Sequence, residues 1–274
     1  MKEPAQGHDT AARRSPAWGG YLLGFGMGGF FDGILLHQVL QWHHLLSAYQ
    51  AGPLGDLRVQ VMADGIFHVL MYVVAMAGLW VLYRARRAGP PSRRRLLAAF
   101  LVGFGIWHVV DAVLSHWLAG IHRIRMDVPN PLPWDLGWLL VFGLLPLFAG
   151  LWLRRRADPP GGGQGGGHGM ALLLAAAVVT AAVFNLVPLR KAPADATVVV
   201  LRPGAAAAGL FTALDDTGAA IIWADAGGGV WVLHGVPLGQ RLSLYGAGAM
   251  YVSGGAVPAG CAAWLTPQVA QAPT

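Results

Sequence analysis

The sequence predicts an all-α membrane protein: a four-helix transmembrane bundle made of a duplicated hairpin, a fifth transmembrane helix, and a small extracytoplasmic tail domain of α+β or β structure. Three observations carry that prediction. Of 274 residues, 55% are hydrophobic and only 12% charged, whereas a soluble domain carries about 25% charged residues. Five apolar runs, at about 19–44, 61–83, 96–118, 135–153 and 170–188, are near the roughly 20 residues that cross a bilayer as a helix. Finally, one polar pattern occurs twice inside these runs. Gly24-Phe25-Gly26 is followed by Asp32, His37 and His43, and Gly103-Phe104-Gly105 by Asp111, His116 and His122, every pair offset by 79 positions.

The elements follow in order. Residues 1–18 are polar and read as a disordered cytoplasmic head. The first apolar run is too long for a cleavable signal and carries His and Asp, so it reads as a span. Lys2, Arg13 and Arg14 precede it, six arginines between positions 84 and 95 separate the second and third spans, and Arg154, Arg155 and Arg156 follow the fourth. Twelve of the nineteen basic residues thus fall on one side, against Arg58, Arg123 and Arg125 in the opposite short loops. The positive-inside rule then puts the N-terminus on the cytoplasmic side of the membrane and the tail on the extracytoplasmic side. The same placement explains the net charge of +6 as orientation signals and gives no surface for nucleic acid.

Spans one and three share the polar pattern. Spans two and four begin near Asp64 and Asp135 and end in Ala-Gly-Leu-Trp at 77–80 and 149–152, a spacing of 72 rather than 79. Two hairpins of one orientation imply a pseudo-two-fold axis along the membrane normal, and residues 19–156 read as one transmembrane domain. Residues 157–169 form a Gly/Pro-rich cytoplasmic linker, and 170–188 an Ala/Val-rich fifth span. In the tail, 189–274, strands are expected over Thr197–Leu201, Ala219–Ala224, Val230–Leu233 and Leu242–Val252, with a helix over Ala205–Leu214. The single Cys261 excludes an internal disulfide and any Cys-pair metal motif.

Seven of the ten histidines lie between positions 37 and 122. Ionisable groups at membrane depth are costly and mark function. At 1.5 Å per residue, His37 lies about 7–8 Å beyond Asp32, and His68 about 6 Å from Asp64. Regular α-helical angles put His37, Gln41 and His44 on one stripe and Asp32 on another, align His108 with Asp111, and align Asp64 with His68. The expected site is therefore one asymmetric centre between the hairpins. Its metal ligands are His37, His68, His108 and His116, and Asp32, Asp64, Asp111, Gln41 and His44 orient them or relay protons. Imidazoles with adjacent carboxylates suit iron or copper, and a haem between His37 and His116 is a sub-case. The Glu-x-x-His signature of di-iron bundles is missing.

The pattern assigns no catalytic residue and leaves enzymatic activity open between a redox or metal-handling protein, a non-enzymatic proton or ion conduit, and an assembly factor for respiratory enzymes. The partners it admits are the lipid bilayer, a respiratory or redox protein on the extracytoplasmic side, and a second copy of the chain. His43, His44 and His122 read as solvated residues near the outer interface. Trp42, Trp107, Trp117, Trp134 and Trp138 read mostly as an interfacial aromatic belt. Gly20, Gly24 and Gly28, with Gly29 and Gly33, read as close helix packing, or as room for a flat macrocycle.

The strings Phe31-Asp32-Gly33-Ile34-Leu35-Leu36-His37-Gln38 with Gln41-Trp42-His43-His44, then Asp64-Gly65-Ile66-Phe67-His68, then Trp107-His108 with Asp111 and His116-Trp117, resemble the bacterial multi-pass membrane-protein family DUF2243, a domain of unknown function. The resemblance covers about residues 18–154 and implies that the four-helix unit is one domain. It implies no particular activity, and the fifth span and the tail fall outside it.

Overall fold

The computed structural model describes residues 8–85, 91–156, 166–186, 196–215, 217–225 and 227–253. Among the described residues, five helices are long and apolar enough to cross a membrane: Ala17–Val39, Leu57–Ala85, Arg93–Leu118, Leu132–Arg155 and Gly167–Asn185. Their elements are α1 (His8–Asp32), α2 (Leu57–Ala85), α3 (Arg93–Val110), α4 (Leu132–Trp138), α5 (Leu145–Arg155) and α6 (Gly166–Leu186). The winding loosens from α to π at Gly33–Val39 after α1, at Asp111–Leu118 after α3, and at Leu139–Leu144 between α4 and α5. Cys261, the head residues 1–7 and linker residues 157–165 lie outside the described residues.

The chain forms two compact units, one from Met1–Ile34 with Phe67–Val183 and one from Leu35–Ile66 with Phe184–Thr274. In the first, glycines set the helix approaches. A Cβ on Gly24 would collide with the Phe100 carbonyl, and one on Gly103 with the Tyr21 carbonyl. Gly26 packs on Ala75 and Gly105 on Leu147; Gly78 packs on Leu23 and Gly150 on Val102. Gly20 meets Ala99, Gly28 meets Trp107, and Gly29 meets Met71. The glycine stripes are therefore filled by neighbouring helices, which is the packing use of small residues and leaves no slot for a macrocycle. Ser92 caps α3 by accepting a hydrogen bond from the Arg95 amide at 3.3 Å. The Tyr72 hydroxyl ties α2 to α6 by donating to the Ala182 carbonyl at 2.6 Å. On α2, Val69, Val73, Met76 and Trp80 form an exposed apolar stripe, the surface a helix presents to lipid.

The second unit holds a four-stranded antiparallel sheet in the order β2-β3-β1-β4, with β1 Ala196–Leu201, β2 Ala220–Ala224, β3 Val230–His234 and β4 Ala249–Val252. Every residue of β1 is buried because both faces of the sheet are covered. Val199 and Leu201 pack with Leu210, Leu214 and Leu244 from α7 (Ala207–Leu214) and α8 (Ser243–Gly246). Val198 and Val200 on the other face pack with Val230, Val232, Tyr251 and, from the start of α2, Val61. The strand expected over Leu242–Val252 is confined to Ala249–Val252. Ahead of it α8 forms and Gly248 turns the chain at φ 103, a conformation that glycine adopts freely.

At the junction of α2 with the sheet, the Arg58 guanidinium donates to Asp56 at 2.6 Å and to the Arg202 carbonyl at 3.2 Å. That hydrogen-bonded guanidinium holds the Asp56 carboxyl below the usual carboxylate range. Burial pushes the Tyr251 phenol up to about 12. The first span, expected to reach residue 44, ends its helical winding at Val39, and Gln41 follows at φ 52. Gln41 and His44 therefore do not continue a stripe from His37.

Candidate metal centre

The site begins with the change of winding at Asp111. In an α-helix, residues five apart point about 140° away from one another. In a π-helix the i to i+5 hydrogen bond brings them one above the other. Asp111–Leu118 is π-wound, so His116 stands one turn from Asp111, with Nε2 to Oδ2 at 3.1 Å. The expectation that the aspartate and the first histidine face different ways is thereby overturned, because it assumed an unbroken α-helix.

The wide turn also ends the helix in a particular way. The Ala119 amide donates to the Leu114 carbonyl at 2.8 Å and the Ile121 amide to the Ser115 carbonyl at 3.0 Å. Gly120 reverses the chain at φ 61. His122 is thus brought back to Asp111, with Nε2 to Oδ1 at 3.5 Å, and its ring lies 4.8 Å from that of His116. One ligand atom from each of Asp111, His116 and His122 lies within 4.8 Å of the others, and all three residues are buried.

A second carboxylate stands behind His116. Asp135 lies in the first turn of α4, with no exposure, and its Oδ1 is 3.2 Å from His116 Nδ1. The same oxygen accepts from the Ile124 amide at 3.0 Å, and Oδ2 accepts from Arg123 Nη1 at 2.9 Å. Asp135 is therefore held from three directions. Neither nitrogen of His116 is aligned for a hydrogen bond, despite the close oxygens on both sides.

The second unit has a parallel arrangement. The rings of His37 and His43 are 4.6 Å apart, and His37 Nδ1 lies 3.1 Å from Asp64 Oδ1. Asp64 accepts from the Leu45 amide at 2.8 Å and pairs with His44 Nδ1 at 2.7 Å. The Leu40 amide donates to Leu35 and the Trp42 amide to Leu36. Each of these residues, apart from Asp64, matches one above at 79 positions; His44 stands where the later set has Arg123. Asp32 closes α1 and is buried.

The other predicted ligands have different surroundings. His68 is buried, with Nε2 against Gly33 so closely that a Cβ there would collide. His108 accepts a hydrogen bond at Nδ1 from the Trp138 indole at 3.2 Å, and its ring is packed by Phe104 at 4.7 Å and by Phe31 and Phe142. Trp107 packs on Phe25 and Phe67. Trp107 and Trp138 are thus internal packing residues, not members of an interfacial belt.

Three residues of these arrangements, His43, His122 and Asp135, were absent from the expected site. His43 and His122, expected in solvent, are 3% and 1% exposed. The 79-residue spacing contained both. Extending a regular helix past Val39 and Leu118 put them at the water interface instead. Asp135 was legible only as the residue that opens the fourth span.

A family model described as "Predicted membrane protein (DUF2243)" matches residues 19–157, slightly more than half of the chain and every residue of these arrangements. No curated protein and no solved structure matches the chain.

Proposed function

This chain belongs to the DUF2243 family of predicted membrane proteins, and for it we propose a membrane metalloprotein in which Asp111, His116 and His122 hold a redox-active transition ion. The carrying observation is the buried convergence of one carboxylate and two imidazoles, with Asp135 behind the inner imidazole. Gathering these groups at membrane depth without a compensating charge is costly; a divalent cation offsets that cost. Two histidines and one carboxylate are the donors of non-haem iron(II) sites that keep coordination positions open. A carboxylate on the far nitrogen of a ligating histidine fixes its tautomer and orientation and raises its basicity, and Asp135 is placed for that role. The unaligned Nε2 of His116 fits a donor aimed at a shared ion rather than at the Asp111 carboxylate.

Iron is the ion this donor set favours, with copper next. A haem is disfavoured, because the Asp111 carboxylate at 3.1 Å from His116 Nε2 leaves space for a bare ion and none for a porphyrin plane. We further propose that the two hairpins are copies of one unit, and that the ion lies within the second hairpin rather than in a single centre shared between hairpins. If the arginine-rich ends lie in the cytoplasm, the ion is in the outer half of the bilayer, about 27 Å along the helix from Arg93. A redox or metal-handling role at that face follows from the open coordination positions.

The same geometry supports a second reading. His116 lies between two carboxylates, one at each ring nitrogen, as in a proton relay. Metal analysis of protein purified in detergent from metal-replete cells separates the two. Iron or copper in stoichiometric amount, reduced by one equivalent in Asp111→Asn, His116→Ala and His122→Ala, is the expected result. Protein free of transition metal refutes the metal reading and leaves the relay, to be tested by proton flux into liposomes with His116→Ala as control.

A further inference from the structure

Where α1 and α3 touch at the Tyr21 carbonyl and Gly103, the backbones are too close for side chains to interleave. Beside that contact the side chains splay and leave a groove of about 620 Å³. Its walls are Trp18, Tyr21 and Phe25 from α1 and Val102 and Ile106 from α3, and Arg154, in the last turn of α5, lines it as well. Trp18 and Ile106 are exposed, so the groove opens on the surface that a bilayer covers. Among the described arginines, Arg58, Arg123 and Arg125 have carboxylate partners; Arg154 instead lies 5.8 Å from the Tyr21 ring centroid.

We propose that this groove seats one anionic phospholipid, with its phosphate on Arg154 and an acyl chain along Tyr21, Phe25 and Ile106. Three features select that occupant. The walls are apolar and aromatic along about 10 Å of helix, as an acyl chain requires. The one charge is a guanidinium whose planar fork suits phosphate oxygens. It lies at the arginine-rich end of the spans, beside a Trp and a Tyr of the kind that anchor at headgroup level, and basic pockets between transmembrane helices recognise anionic headgroups. The proposal is independent of the metal site, which involves none of these residues.

Native mass spectrometry of the purified protein tests it, with phosphatidylglycerol against phosphatidylcholine as probes. Phosphatidylglycerol should be retained in preference, with one tightly bound molecule per chain. Arg154→Gln should weaken its retention at least about fivefold, while Arg155→Gln, outside the groove, leaves it unchanged. Ile106→Trp, which fills the groove but keeps Arg154, should weaken it as much; Leu22→Trp serves if that variant does not fold. Unchanged melting temperatures show that each variant is folded. Equal retention of the two lipids overturns the headgroup assignment. Loss in Arg154→Gln without loss in either filling variant overturns the groove in favour of surface charge alone. A dimer that the filling variants dissociate, with lipid retention unaltered, overturns the lipid in favour of a second copy of the chain.

Discussion

Replacing Asp135 with asparagine removes the charge behind His116 and preserves the shape of the side chain. In the native protein Asp135 Oδ1 faces His116 Nδ1 at 3.2 Å and accepts from the Ile124 amide at 3.0 Å, while Oδ2 takes Arg123 at 2.9 Å. An asparagine can keep the first two contacts through its carbonyl, but then turns an NH2 group toward the guanidinium, donor against donor. The imidazole loses an anionic partner, and its free nitrogen becomes a weaker ligand. Carboxylates in this position govern roughly 10–100-fold in metal affinity, which is about 1.4–2.7 kcal/mol. The assay is competition against a chromophoric chelator in detergent. Asp135→Asn should fall in that range, His116→Ala should abolish binding, and Arg123→Gln, which keeps the carboxylate, should lose less than Asp135→Asn. If Asp135→Asn binds within about twofold of its parent while His116→Ala does not bind, Asp135 serves only to hold the start of α4 and the role assigned to it is wrong.

The remaining predictions concern packing and pH. Gly24→Ala and Gly103→Ala each push a Cβ into a facing backbone carbonyl and should each cost about 1–3 kcal/mol, read as lower melting temperatures in detergent. Gly137→Ala meets open space and should leave the melting temperature nearly unaltered; equal losses at all three would refute the contact assignment. Tyr251 titrates at about 12 in the folded protein against 10.0 for the free side chain, so the unfolded chain gives up that proton first as pH rises. The stability this contributes is complete below about pH 10 and is lost toward pH 12, with a slope approaching about 1.4 kcal/mol per pH unit. Denaturant unfolding at pH 9 and pH 11.5 should show a smaller alkaline loss in Tyr251→Phe than in the parent, and identical losses would count against the burial of that phenol.

The spans were legible because bilayer thickness fixes how many apolar residues a helix needs, and the tail strands around Val198, Trp223 and Val232 because β-branched and aromatic runs sit between glycine turns. The last strand was misjudged: Ser243–Gly246 has no sequence mark that separates a helical turn from an extended one, and the outcome rests on Leu244 packing against Leu210 beneath the sheet. At the site, the histidines and aspartates were legible as costly residues, but their facing was not. The α-to-π change at Asp111 adds about one residue to the turn, and no local residue announces it.

Taken alone, the amino-acid sequence determined a multi-spanning membrane protein, the side of each span that carries the arginines, and the 79-residue recurrence of an aspartate with two histidines. These depend on composition and spacing along the chain, which the bilayer reads directly. Only the tertiary structure decided that His116 stands over Asp111, that the turn at Gly120 returns His122 to the same carboxylate, and that Asp135 closes on the far nitrogen of His116. Those contacts are set by helix winding and by the packing of α4 against the end of α3, where a shift of one residue in the turn moves a side chain to another face.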